Sequence, residues 1–198
     1  MNSKKKFIFF IFTVLSILNI NSAYSMEPDV FIQSTINRAH QALNDKFTKE
    51  EKVEKLKLIA KDTVDIKGIG FYTLGSYRKT INKDQKEMYI SLFEQYFLKT
   101  FSSRLAEYSN PEIQVNSKSV LNENYTMVSS ILVSTEQRPE VKINWRVYTK
   151  DPKNPKIRDL IIEGLSLART QKEEFSSIIE SNDGDINALF AVLREFIK

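Results

Sequence analysis

Val141-Lys142-Ile143-Asn144-Trp145-Arg146-Val147-Tyr148 alternates in character along its length. Val141, Ile143, Trp145 and Val147 are apolar, and Lys142, Asn144, Arg146 and Tyr148 stand between them. Successive side chains of an extended chain point to opposite faces, so this stretch predicts a strand with one buried face. Upstream, residues 113–121 and 125–133 predict two more strands, joined at Asn122-Glu123-Asn124. Downstream, Asp151-Pro152-Lys153-Asn154-Pro155 is a turn by composition, and residues 156–163 predict a fourth strand. The Leu160-Ile161-Ile162 run in that strand points to burial near both faces. Four consecutive strands with short connections predict an antiparallel meander.

Helical patterns flank the meander. Ile32, Ile36, Ala39 and Leu43 recur at helical spacing after Pro28-Asp29. Thr48-Lys49-Glu50-Glu51 fits a capping box, and Val53, Leu56, Ile59 and Ala60 follow on one face. Asp65 is placed to cap a third helix interrupted by Gly68, Gly70 and Gly75. That glycine-bearing segment is the expected hinge by backbone freedom. Asn82-Lys83-Asp84-Gln85 opens the longest helix, which is expected to run to about Tyr108 and end before Asn110-Pro111. Its apolar stripe is Tyr89, Leu92, Phe93, Tyr96, Phe97, Phe101, Leu105 and Tyr108, an aromatic face suited to cover the sheet. After Ser166 helix returns, breaks at Asn182-Asp183-Gly184, and ends with Ile186, Leu189, Leu193 and Phe196. Helices, then strands, then helices is an α+β pattern.

The first residues carry the three parts of an export signal. Lys4, Lys5 and Lys6 precede an apolar run over residues 7–20, and Ala23-Tyr24-Ser25 supplies small residues before Met26. Cleavage after residue 25 is expected, leaving residues 26–198 as one domain. The apolar run is shorter than the roughly 20 residues of a spanning helix. The three lysines account for most of the formal net charge of +4. The rest is near neutral and gives no electrostatic reason to expect nucleic acid. The chain has no Cys, which suits an oxidising compartment and excludes disulfide staples.

Little in the sequence points to catalysis. The one histidine, His40, lies on the first helix. A Cys–His nucleophile is impossible, no nucleophile elbow is present, and no spacing resembles a metal site. Gly68-Ile69-Gly70 is too short to cradle phosphate. Asp159 and Glu163, four apart on a strand, are the remaining route to acid–base chemistry, if their face lines an apolar cavity. Pairing with Arg146 or Arg158 is the structural alternative. The aromatic stripe likewise reads as packed core or as a cavity wall.

Thr73-Leu74-Gly75-Ser76-Tyr77-Arg78-Lys79, the helix through Phe93-Glu94-Gln95-Tyr96-Phe97, Asn144-Trp145-Arg146 and the run from Asp159 through Glu163-Gly164-Leu165-Ser166 resemble, in order and spacing, the MlaC family. These are periplasmic phospholipid-binding proteins of the Mla lipid-transport system, also known as toluene-tolerance proteins. Arg78 and Arg158 depart from the usual pattern. The resemblance implies helices packed on a curved four-stranded antiparallel sheet. That sheet would be cone-like, as in nuclear-transport-factor-like or cystatin-like domains, and would enclose an apolar cavity. It further implies a periplasmic phospholipid carrier that maintains outer-membrane lipid asymmetry, with no catalytic residues, no metal and no cofactor other than lipid cargo. The implied partners are phospholipid, an inner-membrane ABC transporter complex of the Mla type and an outer-membrane lipoprotein–porin complex. Ile66 and Leu165 match family positions near the cavity. Leu74, Phe93, Phe97, Ile143, Trp145 and Ile162 join them as expected wall residues by face assignment. Arg78, Lys79 and Lys67 are candidates to touch a head group. Two other readings stay open: an isomerase- or dehydratase-like enzyme using Asp159 or Glu163, and a scaffold whose aromatic stripe is all core.

Overall fold

The computed structural model describes residues 25–108, 111–136 and 139–198. The export pattern up to Tyr24, and Asn110 of the Asn110-Pro111 pair expected to follow the longest helix, lie outside the described residues.

The strands are β1 (Ile113–Asn122), β2 (Tyr125–Leu132), β3 (Val141–Tyr148), β4 (Lys156–Ile162) and β5 (Leu165–Ser166). Each pairs antiparallel with the next, in the order β1-β2-β3-β4-β5, so the sheet is open, with β1 and β5 as its edges. The alternation read in residues 141–148 is realised in register. Val141, Ile143, Trp145 and Val147 stand opposite Leu132, Ser130, Val128 and Thr126, all four of them buried. The Trp145 indole N–H donates to Ser130 Oγ at 2.9 Å, and that hydroxyl donates to the Ile143 carbonyl at 3.1 Å. Ser130 thus supplies the partner that a half-buried indole needs.

The expected four strands become five. Glu163 and Gly164 take φ of 49° and 85°, the two positive values that a type I′ turn demands, so the chain reverses within two residues. Leu165 and Ser166 then pair with Ile162 and Ile161. A second irregularity sits between β3 and β4. Arg146 pairs with Asp159 but Val147 pairs with Ile157, so Arg158 is an extra residue, a β-bulge. Neighbours across a pair share a face. Ile157 therefore lies on the Val147 side and Asp159 on the Arg146 side, although they are only two residues apart.

The helices are α1 (Pro28–Ala42), α2 (Lys49–Thr63), α3 (Ile66–Thr73), α4 (Lys83–Leu105), α5 (Leu167–Glu180) and α6 (Ile186–Ile197), with a 3-10 turn at Gly75–Lys79 after α3. Both capping boxes form: Thr48 with Glu51 at α2, and Asn82 with Gln85 at α4. Asp65 caps α3 through the Gly68 amide at 2.8 Å. The core joins Phe31, Ile32 and Ile36 of α1, Tyr89, Leu92 and Phe93 of α4, and Phe175 and Ile179 of α5 to Leu189, Phe190 and Leu193 of α6 and to Val128, Val147 and Ile157 of the sheet. A smaller cluster of Ala42, Leu43, Leu56, Ile59 and Ala106 ties α1 to α2 and the end of α4.

One expectation for α4 is corrected. It ends at Leu105 rather than near Tyr108, because the Glu107 and Tyr108 amides bond three residues back, to the Arg104 and Leu105 carbonyls, and the last turn tightens. Its backbone neighbours are α2, α3 and α6, and its Tyr89, Leu92 and Phe93 share one core with Val128, Val147 and Ile157 of the sheet. Helices on several sides bury more than one stripe of α4: Leu98 and Ser102 are buried as fully as Tyr89 and Phe93.

Candidate functional site

The eight expected wall residues divide into two groups. Leu74 and Phe93 are each 1 % exposed and belong, with Ile66, to the main core. Phe97 is half-buried against that core. Its ring is 6.2 Å from Phe93 and stacks on Phe101 at 5.6 Å and 10°. Phe175 of α5 meets Tyr89 and Phe93 edge-on, at 6.4 and 6.2 Å. This is a ladder of aromatic contacts in favourable geometry, running along α4.

The second group lies on the sheet. Val115, Ser130, Ile143, Ile162 and Leu165 stand opposite one another in a single row across all five strands. Trp145 and Leu160 lead the next row, beside Val128. Ile143 and Ile162 are half-buried, and Leu165 is 52 % exposed. None of these three belongs to the main core, whereas Trp145 packs against it. The inner face of the sheet therefore carries a strip of apolar side chains that helices cover at Val128 and Val147 and leave partly open toward β5. Leu160 was missed as a member of this strip. The run Leu160-Ile161-Ile162 has no alternation, and the bulge resets the phase of β4.

The glycine segment is more closely packed than its composition suggests. A Cβ on Gly68 would fall within 3 Å of the Asp65 carboxylate, and one on Gly70 would lie 2.9 Å from the Phe93 ring. Both glycines serve close packing inside α3. Only Gly75, at φ +56°, uses the left-handed conformation.

At its start α3 is fastened to the sheet. The Asp65 amide donates to the Ile157 carbonyl, and Asp65 Oδ2 accepts from Arg158 Nε and NH2 at 2.7 and 2.6 Å. Arg158 also donates to the Tyr125 hydroxyl at 2.9 Å and lies 4.0 Å from the centre of the Tyr148 ring. Deeper in, Thr73 Oγ1 donates to the Gly70 carbonyl at 2.8 Å and accepts the Tyr89 hydroxyl at 2.7 Å. Burial pushes the Tyr89 phenol well above the ordinary tyrosine range.

The two carboxylates do not form a pair. Asp159 is buried, but on the Arg146 side, away from the face of Ile143, Trp145 and Ile162. Its oxygens accept from Ser166 Oγ at 2.6 Å and from the Ala168 amide at 3.0 Å, with Arg146 at 3.4 Å. Glu163 sits in the exposed turn, where its carboxylate and its amide both bond the Lys142 backbone. His40, Arg78 and Lys79 are exposed. Among the described residues, no cluster of His, Cys, Asp or Glu is arranged to hold a metal ion, and no helix is long and apolar enough to cross a membrane.

One recess touches an expected wall residue. It has a volume of about 310 Å³, an apolar floor of Val64 and Ile66, and a rim of Lys61, Asp65, Lys67, Glu94 and Lys156.

The fold is that of a known structure. The phospholipid-binding protein from Ralstonia solanacearum, solved in complex with a phospholipid, superposes with a TM-score of 0.73 at 18 % identity, over 87 % of this chain and 97 % of that one. The family model described as MlaC protein matches residues 33–195, from early in α1 to the last turn of α6. With a match over that span, this chain belongs to the MlaC protein family.

Proposed function

We propose that this protein is a non-catalytic periplasmic phospholipid carrier. It shuttles lipid between inner-membrane and outer-membrane Mla complexes and so maintains outer-membrane asymmetry. The observation that carries this reading is the partly open apolar strip of Ile143, Trp145, Leu160, Ile162 and Leu165, on a fold shared with a protein solved around a phospholipid. The physical task is severe. Two acyl chains hold roughly 30 methylenes, and at ~0.8 kcal/mol each their exposure to water costs on the order of 20 kcal/mol. An apolar wall is what such cargo requires.

A recess of about 310 Å³ is at the small end of ligand pockets, so a diacyl lipid needs more room. Loading then parts the helical layer from the sheet, with Phe97 drawn away from the strip, Ile66 held at the fastened start of α3, and Leu74 and Phe93 forming the back of the opened space. Asp159 and Glu163 have structural tasks in this reading, since every oxygen contact they make ties one element to another.

Organic extraction of the purified exported protein, followed by mass spectrometry, tests the proposal. Diacyl phospholipid near one per chain is expected. A protein that leaves the cell empty and takes no lipid from vesicles would overturn it.

A further inference from the structure

The recess floored by Val64 and Ile66 has an unbalanced rim. Of its two carboxylates, Asp65 is committed to Arg158 and to the Gly68 amide, and Glu94 is paired with Lys61 at 3.6 Å. Lys156 donates to a main-chain carbonyl, that of Asp62, which brings no counter-charge. The Lys67 ammonium has only the Phe71 ring nearby, 6.0 Å from its centre. Among the described residues, neither Lys67 nor Lys156 has a carboxylate within ion-pair distance. The recess therefore sets two uncompensated ammonium groups above two buried aliphatic side chains.

That combination fits an amphiphile with an anionic end. We infer that Lys67 and Lys156 form a subsite for the phosphate diester of an anionic phospholipid, with the adjoining acyl carbons on Val64 and Ile66. The inference rests on the carrier reading and adds a preference to it. A head group with net negative charge gains from both lysines, whereas a zwitterionic one brings its own ammonium and gains less. Lys67 is exposed and Lys156 only half-buried, so the gain is small and falls as salt screens it.

The test loads the full-length protein from two sets of vesicles, phosphatidylglycerol and phosphatidylcholine with matched chains, at low and high salt. A preference for phosphatidylglycerol of about three- to tenfold at low salt is expected, since two solvent-accessible charges each contribute up to a few-fold. Lys67→Gln together with Lys156→Gln should abolish the preference, lowering phosphatidylglycerol loading several-fold more than phosphatidylcholine loading. Lys67→Gln alone should halve it or more. That variant guards against misfolding, because the Lys67 ammonium has no polar partner here to lose. Lys83→Gln with Lys86→Gln, at the start of α4, removes the same charge elsewhere and should leave the preference intact. Equal loading of both lipids by the wild type, or an unchanged preference in both groove variants, would overturn the subsite while the carrier reading stands. Loading of neither lipid would overturn both. If inorganic phosphate binds with the same lysine dependence and lipid preference does not change, the recess takes a free anion and the head-group assignment is wrong.

Discussion

The carboxylate of Asp159 accepts the hydroxyl of Ser166 at 2.6 Å, which joins the middle of β4 to the residue that caps α5. Ser166 in turn accepts the Arg169 amide, and Asp159 takes the Ala168 amide, so two of the free donors at the start of α5 are satisfied by this pair. Asp159→Ala leaves the Ser166 hydroxyl hydrogen and the Ala168 amide without an acceptor. It should cost about 2–4 kcal/mol, read as a fall of roughly 5–15 °C in melting temperature. Asp159→Asn keeps one acceptor and should cost about half as much. Lipid content below the transition should not change in either variant. Loss of lipid from folded protein, or appearance of a turnover that depends on this carboxyl, would return Asp159 to the chemistry.

Leu165 and Leu74 should separate wall from core. Leu165 is half-exposed at the sheet edge, so Leu165→Glu should change stability by no more than about 0.5 kcal/mol. A carboxylate set against acyl chains loses hydration without gaining a partner, so lipid should be lost from a protein that unfolds normally. Leu74→Ala, at a site 1 % exposed, should instead cost about 2–5 kcal/mol. Urea unfolding together with lipid extraction reads both effects. Equal destabilisation by the two changes would mean that Leu165 is ordinary core.

Gly70→Ala should destabilise, against the helix-propensity gain of about 1 kcal/mol that Ala brings elsewhere. The new methyl would meet the Phe93 ring at 2.9 Å and Ile90 at 3.1 Å. Phe93 is enclosed by Tyr89, Phe97 and Phe175 and has little room to retreat. Overpacking of this kind costs about 1–3 kcal/mol, visible as a lower urea midpoint. A more stable Gly70→Ala protein would show that α3 slides easily on α4.

Alkaline pH should unfold the protein through Tyr89. Its phenol is held protonated in the fold by burial, while an unfolded tyrosine ionises near 10. Above that pH the unfolded state binds fewer protons than the native one, so stability is full below about pH 10 and falls as pH rises. The slope is about 1.4 kcal/mol per pH unit for one such group. Tyr89→Phe should flatten that slope, which urea melts at several pH values will measure. An unchanged slope would place the effect elsewhere, with the half-buried Tyr96 next in line, since burial also raises its phenol.

The strands and the helix starts were legible because each rests on a local rule. Alternation gave β3, and the reciprocal Thr48/Glu51 and Asn82/Gln85 pairs gave the starts of α2 and α4 to the residue. What was not legible depends on partners distant in sequence. Leu165-Ser166 is too short to show a period, and it becomes a strand only because the Glu163-Gly164 turn folds it onto Ile162. The neighbours of α4 could not be read from one aromatic stripe, since α2, α3 and α6 each claim a side. Gly68 and Gly70 suggest freedom in a sequence and prove to be contact points, with Asp65 and Phe93 occupying the space a side chain would need. Of the wall, Ile143 and Trp145 followed from alternation. The split between a buried helical group and a half-open sheet row follows from tertiary packing alone.

The bulge at Arg158 decides which atoms the apolar face presents. Under strict alternation Ile157 and Asp159 would look the same way, and a strand that kept Ile157 in the core would carry a carboxylate into it as well. One inserted residue breaks that linkage: isoleucine goes inward, aspartate goes to the helix start, and the surplus side chain itself reaches across to fasten Asp65. If the strand kept all its residues and paired without the bulge, with Ile157 still inside, Asp159 would fall opposite Trp145 and turn an inert lining into one that carries an ionisable group. On this scaffold a single step of strand register thus separates an apolar lining from one that carries a carboxylate.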